Sequence, residues 1–486
     1  MTATKTRLRH AGVALFSAAS LLALAAPAAL AQDPFTSIGA ASEANVSFAA
    51  VDQSNGILAG GEVRATGRGF TAGQQVEILF GDARLTSSPL VADAEGNVSG
   101  TFTIPANAVP GNYPVAVLVR EPYTFKVVTL KVSPTVLLSG AENYAITQAE
   151  VARGQYQSAY SADDNMLFVT SAAGGRGSPA TSELLKLDGT TLAVIARANP
   201  PVVPAQAAQP GAAAPAGPGG AGAGAQPTPY GVYGIGLDEV AGTIWTTNTR
   251  QNTVAVYRQS DLSLIKQFPA GTVQHSRDAQ IDGELRRAFV SATGTPNIEV
   301  FDTTSLEKVA TITIASNVRG EAFNPLSLSL DRVAHRLYVA GLSTSEVAVI
   351  DTRTNEVLNV FAVPGAEGVI GVSHDPVSNR IYVSAQVSDS VFIIDGANGE
   401  LIRQVHTGAG SHNVEVDPEA RRVYAESRIA GTVTVMDMDG NILANLGNMP
   451  RVNHIELGDN GVIYAVDKSV GVTQAETDVI YRIDPR

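Results

Sequence analysis

The chain has no cysteine, one tryptophan and five methionines among its 486 residues. Without cysteine there is no disulfide framework, no thiol catalysis and no lipid-modified N-terminal Cys. Beyond residue 30 no apolar run reaches membrane-spanning length. Charged side chains make up only 16% of the sequence and are unbalanced, 33 Lys and Arg against 46 Asp and Glu, for a net charge of −13. That balance opposes general attraction to phosphate backbones or anionic lipid, and leaves room only for a local basic patch. No Gly-x-Ser-x-Gly elbow is present, and the serines near Ser276 and Ser411 have generic neighbours. The Gly-rich stretch lacks the Lys and the helix start of a phosphate loop. Outside the N-terminus, no long stretch keeps apolar residues at i, i+3, i+4 and i+7, so helices are not expected.

The sequence opens with Lys5, Arg7 and Arg9, an apolar stretch over 11–30, and Ala29-Leu30-Ala31 before Gln32-Asp33-Pro34. This is the pattern of a secretory signal peptide, 1–31, cleaved after Ala31; Pro27 and the Ala-rich end argue against a spanning helix. The mature chain is expected to be exported to the periplasm, cell envelope or medium, with no transmembrane segment after cleavage. Cleavage removes three basic residues and no acidic one, which makes the remainder more acidic still.

A repeat organises the last two-thirds. Short strand-like runs centred on an aromatic recur at Phe168, Trp245, Phe289, Tyr338, Tyr382, Tyr424 and Tyr464, spaced 77, 44, 49, 44, 42 and 40 residues apart. A period of about 40–45 residues is that of a four-stranded propeller blade. An alternating run ending in Asp precedes many of the aromatics, as at 328–331, 372–375 and 414–417, and reads as an innermost strand. Another follows, as at 298–302, 347–351, 391–395, 433–437 and 479–484. The last copy has three strands, so a fourth is expected from 135–150, which closes the ring and removes a sticky edge. Residues 198–229, almost wholly Ala, Pro, Gly and Gln, explain the interval of 77 and are expected to be a disordered insert.

The expected fold is all-β: a seven-bladed β-propeller over 134–486, preceded by a small immunoglobulin-like β-sandwich over 45–133, with 32–44 as linker. The sandwich rests on alternating runs punctuated by Gly60-Gly61, Gly67, Gly69, Gly73, Gly96 and Pro110-Gly111. It resembles bacterial immunoglobulin-like modules through Gly69-Phe70-Thr71-Ala72-Gly73, Asp93-Ala94-Glu95-Gly96-Asn97 and Pro110-Gly111-Asn112-Tyr113. The propeller resembles the YVTN-repeat, YncE-like exported proteins. The resemblance is carried by Gly154-Gln155-Tyr156, Thr243-Ile244-Trp245, Ser276-Arg277-Asp278 and Asp478-Val479-Ile480-Tyr481-Arg482-Ile483. It implies a seven-bladed fold, export and single-stranded DNA binding. The added sandwich, the insert and the negative charge put the DNA binding in doubt here.

Loops before each innermost strand and after each aromatic strand build a propeller's mouth. The repeat register puts Tyr230, Tyr233, His275, Arg277, Arg319, Asn324, His412, Asn413, Arg451, Asn453 and His454 there. Arginines, histidines and tyrosines so gathered suit an anionic or aromatic ligand; polar loops also ring every propeller mouth simply to satisfy backbone groups. Along the axis, Glu415, Glu456 and Asp278 offer oxygen ligands to a divalent metal, as in lactone-opening propellers, and His275, His412 and His454 offer imidazoles. The expected function is binding rather than catalysis, with no cofactor and with an envelope protein, glycan or small anionic ligand as partner. A metal-dependent hydrolase or lactonase is the alternative, with single-stranded DNA binding as a third. His374 and Trp245 are expected to pack within and between blades.

Overall fold

The computed structural model describes residues 44–52, 56–120, 123–175, 178–204, 228–469 and 477–486. The expected signal peptide and all but Ala44 of the 32–44 linker fall outside them. Seven four-stranded antiparallel sheets follow one another through the chain. Their first strands are Gln155–Ser161, Ile235–Asp238, Ser276–Asp282, Pro325–Asp331, Val369–Asp375, Ser411–Asp417 and Val452–Leu457. Each touches the next, and the seventh touches the first, so the sheets stand as blades around a closed ring.

The repeated aromatics all lie on second strands and are all buried. A large side chain there fills the gap between neighbouring sheets, which must be filled in every blade. The recurrent Asp residues close hairpins. Asp302 Oδ1 accepts the amides of Thr304 and Ser305 at 3.0 and 2.8 Å, and Asp417 Oδ1 accepts those of Glu419 and Ala420 at 2.9 and 2.8 Å. These are Asx turns, in which a carboxylate stands in for a backbone acceptor.

The strand Asp478–Pro485 pairs on its outer side with Tyr144–Ala152, from before the first blade. The seventh blade is therefore completed by the N-terminal end of the propeller. The two ends of the Ala, Pro and Gly segment pair with each other. Val202 bridges Pro229, Val203 N donates to Thr228 O at 2.9 Å and Tyr230 N to Pro201 O at 3.0 Å. Backbone bonding thus orders both ends of the expected 198–229 segment, and 205–227 lie outside the described residues.

Ahead of the propeller, two sheets face each other. One joins Asn45–Ala50, Glu62–Arg68 and Val98–Thr103; the other is built on Gln75–Phe80, Gly111–Arg120 and Thr124–Val132. Val63, Ala65, Val76, Ile78 and Val115 pack fully buried between them. This module is anchored to the fifth blade, where Lys131 Nζ lies 2.6 Å from the buried Asp389 carboxylate and also donates to Gln386 O at 3.1 Å. Asn112 Nδ2 donates to Glu367 Oε2 at 2.9 Å. No helix among the described residues is long and apolar enough to cross a membrane.

Candidate functional site

Toward the axis each innermost strand has no neighbouring strand in its own sheet, so its backbone groups need other partners. Side chains from the preceding blade supply them. Gln157 Oε1 accepts Ile235 N, Asn413 Oδ1 accepts Ile455 N, and Glu456 Oε1 accepts Tyr160 N, each at 3.1 Å, while Asp278 Oδ2 accepts Leu328 N at 2.9 Å. Asn453 Nδ2 donates to Tyr156 O at 2.7 Å across the ring closure. Four of the residues placed at the mouth or axis by sequence, Asn413, Asn453, Asp278 and Glu456, therefore lace adjacent blades together. Gly234 marks how tight these seams are: a Cβ there would lie 2.3 Å from Arg277 O.

Two of the expected mouth residues, Tyr233 and Arg277, meet Tyr156, Arg250 and Lys468, which lie outside the expected set. Tyr156 and Tyr233 pack edge to face with centroids 5.0 Å apart. The Arg277 guanidinium lies 4.6 Å from the Tyr156 centroid, and Lys468 Nζ lies 4.3 Å from that ring and 5.8 Å from Tyr233. Arg250 covers Tyr233 at 5.6 Å. Arg428 completes the set, since its charge depresses the pKa of Lys468, Arg277, His412 and Arg451. Burial, reinforced by Arg428, brings Arg277 down to about 10.

The histidines are not part of this positive charge. Burial and the Arg277 charge hold His454 at about 3, and His412 is held well below the usual imidazole value by burial, then by Arg277 and Arg428. His412 Nδ1 stands 2.9 Å from Glu426 Oε1, and Glu426 is fully buried. Glu426 occupies a position where other blades carry hydroxyls that clip the next inner strand, as Thr247 Oγ1 does to Arg277 O at 3.2 Å and Ser384 Oγ to His412 O at 2.8 Å.

The remaining expected mouth residues stand apart from the rings. His275 is exposed, and its backbone amide is tied to Asn252 Oδ1. Arg319 is in an exposed turn. Asn324 accepts Gly294 N at 2.6 Å and donates to Ser343 Oγ at 2.8 Å, so its amide is used in joining two loops. Tyr230 is buried beside the insert's paired ends, and Arg451 lines a cleft against Phe48, Ile57 and Ile429. His374 stacks on Tyr338 at 4.2 Å, and Trp245 packs between the second and third blades.

Further along the axis the charge changes sign. A cavity of about 370 Å³ is lined by Gln157, Asp278, Gln280, Arg332, Glu415 and Glu456 among others. Burial raises Glu456 to about 7 and Asp278 to about 6; it raises Glu415 well above the carboxylate range, with the Glu456 and Asp278 charges adding to the effect. Among the described residues no group of three or more His, Asp or Glu side chains stands where it could hold a metal ion. Asp278 and Glu456 each commit an oxygen to a backbone amide across a seam.

These carboxyls make stability depend on pH. With its folded pKa raised, Glu456 contributes fully below its unfolded value, and that contribution is lost as pH rises through about 7. Glu456→Gln keeps the acceptor for Tyr160 N but cannot ionise. The variant is expected to match the parent in thermal denaturation at pH 4.5 and to exceed it at pH 8 by roughly 1–3 kcal/mol. Equal differences at both pH values would contradict the assignment.

No curated protein matches the chain. Among solved structures, Kuenenia stuttgartiensis hydrazine synthase is similar with a TM-score of 0.52 and 15% identity, over 66% of this chain and 94% of that one. A streptogramin B lyase structure is similar with a TM-score of 0.52 and 12% identity, over 72% of this chain and all of that one. At these identities the likeness is one of fold. Residues 234–440, within the ring described above, match the model of the YNCE-like beta-propellers.

Proposed function

We propose that this protein is an exported binding protein whose propeller mouth takes a small anionic ligand. The observation that carries the reading is the gathering of Arg250, Arg277 and Lys468 around Tyr156 and Tyr233, with Arg428 near enough for its charge to act on Arg277 and Lys468, in a chain whose net charge is −13. Mutually repelling cations held in a partly desolvated cluster cost free energy in the empty protein, and an anion with two or more charges relieves it. The tyrosines give a flat or aromatic portion of the ligand something to pack on. A compact anion suits the site better than a long polyanion, whose further charges would meet an acidic surface. Export rests on the N-terminal signal pattern.

Calorimetric titration with pyrophosphate and a nucleoside diphosphate at low ionic strength tests this. The parent is expected to bind at least one of them, and Arg277→Ala combined with Arg428→Ala to weaken binding about 100-fold, near 2.7 kcal/mol. Unchanged affinity in the double variant, or no binding of either probe, would overturn it.

A further inference from the structure

Lys468 is the least conventional member of the mouth. Its ammonium site faces two aromatic rings and feels Arg428, Arg277 and Arg250, with the Asp478 charge pulling the other way. Among the described residues, no hydrogen bond or ion pair reaches its Nζ. A proton on that nitrogen is supported by the ring faces and the Asp478 charge and opposed by partial desolvation and three guanidinium charges. The opposing effects are the larger and favour the neutral amine, whose lone pair is then available for bonding.

We propose that Lys468 is a nucleophilic amine that condenses with small anionic carbonyl compounds drawn into the mouth. The Nζ lone pair attacks the carbonyl carbon, and a proton passes from nitrogen to the former carbonyl oxygen to give a carbinolamine. Loss of that oxygen as water leaves an imine between Nζ and carbon. The step needs no oxidant or reductant. The compound's carboxylate or phosphate lies among Arg250, Arg277 and Arg428, so its class rests on the anion-binding reading above, whereas the reactivity of the amine does not. Burial, then the three arginines, bring Lys468 to about 7, so the unprotonated amine is populated at neutral pH.

Reductive trapping of the whole protein tests both parts. Formaldehyde or glyoxylate is added with cyanoborohydride at pH 7, and modification of each lysine is followed by peptide mass spectrometry, with the exposed Lys126 as reference. Lys468 is expected to react with formaldehyde about tenfold or more faster than Lys126. Its rate should follow a midpoint near pH 7, and glyoxylate should widen its lead. Arg428→Ala, which removes one repelling charge, is expected to move the midpoint upward. Formaldehyde labelling of Lys468 no faster than that of Lys126 would overturn the proposal. Fast formaldehyde labelling without a glyoxylate preference would support the reactive amine and overturn the anionic class of its partner.

Discussion

Trp245→Ala is expected to lower the free energy of unfolding by about 3–5 kcal/mol, measured by urea denaturation. Trp245 has no exposed surface, and its ring lies 5.6 Å from Phe301 and 6.0 Å from Phe268. Val254, Val256, Ala279 and Ile281 pack in the same cluster, which spans the second and third blades. Truncation to alanine opens a cavity at this seam that two rigid sheets cannot collapse to fill. Trp245→Phe should cost under about 2 kcal/mol, because it keeps most of the packing and removes an indole N–H that has no hydrogen-bond partner among the described residues. A loss below about 1 kcal/mol for the alanine variant would show that packing at this seam contributes little to holding the ring.

Asp478→Ala should be comparably damaging for a different reason. The fully buried Asp478 Oδ2 accepts the amides of Gly154 and Gln155, which begin the inner strand of the first blade. Removing the carboxylate leaves two buried donors without that acceptor, at about 1–3 kcal/mol each. Gly154 cannot readily readjust, because it sits at φ +79° with Ala172 O only 2.7 Å from where a Cβ would be. Asp478→Asn keeps one acceptor oxygen and should cost less. It should also lower the pKa of Asp467, which burial and then the Asp478 charge raise to about 7. Carboxyl titration by NMR would register that change, and a shift of Asp467 in the opposite direction would refute the coupling.

The propeller was legible because its sequence repeats. Each blade needs a large side chain at the same place on its second strand and a carboxylate at the same turns, so Tyr338, Tyr382 and Tyr424 announce one structure several times over. The mouth is written only once, in departures from that repeat. Four residues after the aromatic, the first five blades carry Ala172, Thr249, Thr293, Leu342 and Gln386, whereas the last two carry Arg428 and Lys468. Comparing that column across blades would have found both cations. Attention to the loops before the inner strands instead brought in Arg319 and His275, which face solvent. Asn413, Asp278 and Glu456 look like site groups in sequence because an axial polar residue reads the same whether it meets a ligand or a neighbouring backbone amide. Only the three-dimensional seam distinguishes the two uses.

Completing the seventh blade with Tyr144–Ala152 also sets how the molecule carries mechanical load. Tension on the N-terminal two-sheet module runs toward the strand that clasps the ring. Other attachments intercept it first: the Lys131–Asp389 ion pair and the Asn112–Glu367 hydrogen bond at the fifth blade, and the pairing of Ser139 with Asn445 on the sixth. They act as strain relief does on a cable. A load on the module is shared among these contacts, so the clasp does not carry it alone.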